Sequence, residues 1–133
     1  MLLTVGITAS AQEALDSRHT IVSPEIHDDN RVTFRLKTPD HVASVRVGSD
    51  CFSSGGADLK KNAEGIWEYT TPEPLPSELY SYFYVVDSMM MLDPSNVYIV
   101  RDVSTTMNIF IIGGGIGDLY KVNAVPHGTV SRV

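Results

Sequence analysis

Residues 65–94, GIWEYTTPEPLPSELYSYFYVVDSMMMLDP, decide the fold. Tyr80, Tyr82, Tyr84 and Val86 recur at every second position, and Ser81, Phe83 and Val85 fill the places between them. A period of two puts each set on one face of a sheet. The stretch therefore reads as two strands, residues 65–71 and 79–87, joined by a proline-bearing connection. A tight turn at Asp87-Ser88 leads into a further extended run, residues 89–92.

Working outward, residues 31–37 alternate as cleanly. Val32, Phe34 and Leu36 point to the core, and Arg31, Thr33, Arg35 and Lys37 point to water. Residues 21–27 form a first extended segment broken at Ser23-Pro24, where proline suits a sheet edge. Residues 42–48 make another strand, with Val45 and Val47 inward, and residues 57–61 a short, weak one after a small-residue loop. Downstream, residues 97–101 and 107–112 read as strands, residues 113–117 as a glycine-rich connection, and residues 119–125 as a last pairing segment. No long segment carries a 3.6-residue period. Short strands with turn signals every 8–12 residues predict an all-β, immunoglobulin-like β-sandwich of seven to eight short strands.

The chain has 133 residues, 43% of them hydrophobic, enough for one domain with its own core. Its net charge of −6 repels phosphates, so nucleic acid and anionic membranes are excluded as expected partners. Cys51 is alone, so no intrachain disulfide forms, and it reads as a small buried hydrophobe. Residues 1–12 resemble the end of a secretory leader: an apolar run, then Ala9-Ser10-Ala11, a small-x-small cleavage pattern, without a basic start. Residues 1–20 are accordingly expected to be a signal remnant and flexible lead, residues 21–125 the module, and residues 126–133 a linker.

Candidate chemistry is sparse. Gly113, Gly115 and Gly117 give a G-x-G-x-G pattern, but no amphipathic helix follows to hold a pyrophosphate. His19, His27, His41 and His127 lack ligand spacing, so no metal or other cofactor is expected. No G-x-S-x-G elbow is present, and no catalytic residue is assigned. The aromatic cluster remains, since such rings fill sandwich cores or stack on sugars. Trp67 reads chiefly as core, with glycan contact as the alternative. Phe83, on the face opposite the tyrosines, is the best exposed platform. Tyr80, opening its strand, suits a tyrosine corner. Met89-Met90-Met91-Leu92 places two apolar residues on each face of one short strand, so one pair stays outside any single core. That pair is either covered by the second sheet or forms an interface patch, against another domain or in a homodimer.

Three motifs carry a resemblance covering roughly residues 23–125: Gly65-Ile66-Trp67-Glu68, Leu79-Tyr80-x-Tyr82-x-Tyr84-Val85-Val86-Asp87, and Leu92-Asp93-Pro94-Ser95-Asn96. They resemble the early-set immunoglobulin-like domains that precede the catalytic domain of bacterial feruloyl and related carbohydrate esterases. Those domains are similar to family 48 carbohydrate-binding modules. The ending, Val125-Pro126-His127-Gly128-Thr129-Val130, resembles the junction into an esterase domain. The resemblance implies a C-terminal esterase domain as partner, a periplasmic or secreted location, and plant glycans such as xylan as possible ligands. It also implies where a sugar site would lie. Met90 stands where glycan-binding members carry a tryptophan, Phe52 or Ser53 near a second tryptophan position, and Phe83 at a sugar-contacting lysine. These departures favour a packing module over a sugar binder. The expectation is a non-catalytic module that packs on or positions an esterase domain. The alternative is a carbohydrate-binding module using Phe83, Met90, Phe52 and Trp67.

Overall fold

The computed structural model describes residues 21–122. The segments expected to be a leader and lead, residues 1–20, and a linker, residues 126–133, lie outside the described residues. In chain order the strands are β1 (Glu25–Ile26), β2 (Val32–Lys37), β3 (Val45–Ser49), β4 (Gly56–Asp58), β5 (Lys60–Lys61), β6 (Ile66–Thr70), β7 (Leu79–Val86), β8 (Met89–Met91), β9 (Ile99–Arg101) and β10 (Thr106–Ile111). A 3-10 helix, Ile116–Tyr120, follows. The first sheet has the order β1-β2-β6-β5, and the second β4-β3-β7-β10-β9, with β8 also paired to β7. All pairings are antiparallel.

The core lies between the sheets and follows the alternation read from the sequence. Val32, Phe34 and Leu36 of β2 face Val45 and Val47 of β3 and Tyr80, Tyr82 and Tyr84 of β7, all buried. Phe34 is the hub, with ring centroids 5.2 Å from Tyr82 and 5.7 Å from Phe110. Burying each such side chain contributes about 1.5–3 kcal/mol. That is ample to hold short strands whose own ladders are weak.

The fold departs from the sequence reading in four places. The described residues hold ten strands rather than seven or eight, because several pairings are only two or three residues long. Residues 57–61 are not one strand. β4 belongs to the second sheet and β5 to the first, and Leu59, buried between them, marks the crossing. Thr33, expected in water, is buried because its hydroxyl bonds both His27 Nε2 (2.7 Å) and Thr70 Oγ1 (2.8 Å). The described part of the last expected pairing segment contains no strand, and the 3-10 helix occupies its start. Gly117 there packs backbone on backbone: a Cβ would stand 2.0 Å from the Ile112 carbonyl oxygen. Its N–H donates to Ser77 Oγ at 3.0 Å. The glycine run therefore closes the end of the sandwich rather than cradling a ligand.

Candidate functional site

β7 organises the site, because its two faces have opposite fates. On the inner face, the Tyr80 hydroxyl donates to the Pro76 carbonyl at 2.9 Å, tying down the preceding connection as a tyrosine corner does. The Tyr82 hydroxyl donates to Asp93 Oδ2 at 2.9 Å. The Tyr84 hydroxyl lies 3.1 Å from the Arg35 carbonyl, 2.9 Å from Ser23 Oγ and 3.4 Å from the same Asp93 oxygen.

Asp93 is only 2% exposed. β8 and β10 lie on the same side of β7, opposite residues 84–86 and 79–82 respectively, and the chain turns inward between them at Asp93. Ser95 N–H donates to Asp93 Oδ1 (2.8 Å), and Asp93 N–H donates to the buried Asn108 Oδ1 (2.7 Å). Asn96 Nδ2 donates to the Tyr82 hydroxyl and to the Ile109 carbonyl. Burial pushes the Asp93 carboxyl above the ordinary carboxylate range, against the pull of the hydrogen bonds it accepts. Burial and the adjacent carboxylate push the Tyr82 and Tyr84 phenols up as well. Among the described residues, no buried side-chain polar atom lacks a partner. The network is a clasp for the residue 92–98 loop, with its polar groups turned on one another.

The outer face of β7 is different. Register puts Leu79, Phe83 and Val85 on it, with Met107 and Ile109 of β10 and Met90 of β8 alongside. Met90 stands directly across from Val85, and Phe83 is the next residue along β7 on that face. Met90 is 48% exposed, and Phe83 is half-buried. The Phe83 ring tip lies over Gly48 of β3, where a Cβ would approach it to 2.5 Å. The aromatic ring thus covers the gap that glycine leaves in the sheet. The turn presenting Met90 has positive φ at both central residues, Asp87 (44°) and Ser88 (72°), as a type I′ hairpin requires. Asp87 offsets that strain by accepting the N–H groups of Ala43 (3.0 Å) and Ser44 (2.8 Å). Met89 and Met91 of the interface candidate are also exposed, and Leu92 is half-buried. The two-sided apolar strand is covered on neither face.

The structure therefore brings Phe83 and Met90 together and separates them from the other sugar-site candidates. Trp67 is 8% exposed on the inner side of β6. Its indole N–H donates to Thr38 Oγ1 (3.0 Å), and Lys61 Nζ stands 5.7 Å from its ring. The core and the Lys61 side chain cover the ring, so it offers no open stacking platform. Phe52 is half-buried against Phe34 (6.1 Å) and Tyr69 (5.7 Å), where it plugs the end of the core. The sequence reading missed a cleft of about 460 Å³ between β1 and the start of β9, with Ile26, Asn96, Tyr98 and Phe110 among its lining residues. No charged side chain lines it. Among the described residues, no three potential metal ligands cluster. No helix among them is long and apolar enough to cross a membrane.

Two antiparallel sheets packed face to face define this chain as an all-β, immunoglobulin-like sandwich. No family model matches it. Over 71 residues, 53% of the chain, it is 30% identical to an endo-1,4-beta-xylanase/feruloyl esterase of Xylanibacter ruminicola. The match covers 10% of that protein's length, so the similarity is to a small part of a carbohydrate-active enzyme. Among solved structures, a pullulanase from Anoxybacillus sp. LM18-11 superposes with a TM-score of 0.46 at 19% identity, covering 80% of this chain and 15% of that one. A pullulanase from Paenibacillus barengoltzii gives 0.43 at 21%, covering 64% and 14%.

Proposed function

We propose that this sandwich is a non-catalytic accessory module of a secreted or periplasmic polysaccharide-acting esterase, and that it packs against and positions the catalytic domain. The observation that carries the reading is an apolar strip on the outer face of the second sheet, Phe83, Val85, Met90, Met107 and Ile109, bordered by Ser81 and by the Arg46–Asp58 pair. An antiparallel sheet turned to water normally alternates apolar-in and polar-out. A contiguous apolar face marks a contact surface. The partial match to a much longer xylanase/feruloyl esterase supports a carbohydrate-active parent.

Glycan binding is the second reading, favoured by the half-buried Phe83 ring beside Met90 on an open face. Affinity electrophoresis through a xylan-containing gel separates the two. The packing reading predicts that the chain migrates as it does without xylan, and that Phe83→Ala changes nothing. Retardation by xylan that Phe83→Ala abolishes, with the fold intact, would replace packing with sugar binding.

A further inference from the structure

We propose that the free edge of β9 pairs with β9 of a second copy of this chain, joining two second sheets into one. β9 is the last strand of its sheet. Ile109 N–H donates to the Tyr98 carbonyl, Val100 pairs with Met107, and Asp102 N–H donates to the Thr105 carbonyl. Even-numbered positions thus face β10, and Ile99 and Arg101 turn their N–H and C=O outward. Exposed strand edges are normally blunted by charged side chains, proline or a bulge. Residues 97–100, VYIV, contain no charge and no proline, and the first charges, Arg101 and Asp102, come at the end of the strand. Over residues 97–100 both faces are apolar and open, with Val97 83% and Ile99 54% exposed on one side and Tyr98 and Val100 exposed on the other. A strand apolar on both faces belongs inside a sheet rather than at its margin.

The edge is complementary to itself. With a two-fold axis at Ile99, Ile99 exchanges both main-chain hydrogen bonds with its symmetry mate. Arg101 does the same with Val97 of the second copy, giving about six bonds in all. Residues 97–100 are uncharged, so no like charges face each other and Arg101 lies across from a valine.

Sedimentation velocity of the full chain over a concentration series tests the pairing. A species of twice the 14.6 kDa chain mass is expected to grow with concentration. Ile99→Pro removes an outward N–H and leaves the bonds to β10. It should weaken association by at least about tenfold while keeping the wild-type melting curve. Ile99→Lys, which sets two ammonium groups together at the axis, should do the same if the proline variant folds poorly. A wild-type chain that stays monomeric throughout would overturn the proposal. So would folded Ile99 variants that associate as before, or Met90→Asp dissociating the dimer in their place.

Discussion

The two sheets share a core but turn different surfaces outward. On the first sheet the outer face carries Glu25, Thr33, Arg35 and Glu68. Arg35 Nη1 meets Glu25 at 2.5 Å, and Arg35 Nε lies 3.6 Å from Glu68. The Arg35 guanidinium holds the Glu25 carboxyl below its ordinary range. Thr33 and Thr70 bond each other across the same face. That surface is satisfied from within the chain and by water. The outer face of the second sheet keeps one such pair at its β3–β4 end, Arg46 Nη1 to Asp58 Oδ1 at 2.9 Å, and Ser81 bonded to Asp50, but beside them it presents Phe83, Val85, Met90, Met107 and Ile109 to solvent. A sandwich needs only its two inner faces to be apolar. The second sheet's outer face is therefore an addition to what folding requires, and this is the physical ground for assigning it to a partner.

The largest effect is expected inside, where it sets the scale for both faces. Asp93→Ala leaves Ser95 N–H and the Tyr82 hydroxyl without their acceptor in a dry site, and should lower stability to urea by about 3 kcal/mol. Titration adds a sign. Burial raises the Asp93 carboxyl in the native state, so the native chain binds more protons than the unfolded one between the ordinary carboxylate range and the raised value. Its contribution is full below about pH 4 and falls as pH rises through the raised value. The stability deficit of Asp93→Asn should therefore shrink between about pH 4 and pH 7. A deficit that grows with pH would mean that the clasp holds its charge comfortably.

Arg35→Ala on the first sheet should cost about 1 kcal/mol or less, and less still at high salt, because its ion pairs are partly exposed. A much larger loss would show that the polar face is structural, and would narrow the contrast between the sheets. The smallest effect is expected on the second sheet's outer face. Met90→Asp in the isolated chain should change stability by no more than about 0.5 kcal/mol, since about half of the residue is already in water and none of the core rests on it.

The sequence announced the sandwich through period two. Val32, Phe34 and Leu36, and Tyr80, Tyr82 and Tyr84, sit inward as their alternation requires. It also put Phe83 opposite the tyrosines. The burial of Asp93 and Asn108 was not legible. Leu92-Asp93-Pro94-Ser95-Asn96 reads locally as a turn, and the Asp93 bond to Ser95 N–H is that turn. The two hydroxyls that complete the site arrive from a strand 9 and 11 residues away in sequence. Asn108 at an inward position between Met107 and Ile109 was the available signal, because a polar residue on a buried face needs partners. Leu59 was obscure for a related reason: a chain that changes sheets within one residue has no period to read. Trp67 and Phe52 were ambiguous because an aromatic ring is equally suited to core and platform. Burial, which decides between them, depends on the opposite sheet.

The account rests on the second sheet's outer face serving a partner rather than the core. The most direct test compares melting temperatures for Met90→Asp in two settings: the isolated sandwich, and the sandwich joined to its proposed esterase domain. The account predicts an unchanged melting temperature for the isolated sandwich and a lower one for the joined protein. Unfolding of the isolated sandwich by Met90→Asp, or an unchanged joined protein, would contradict it.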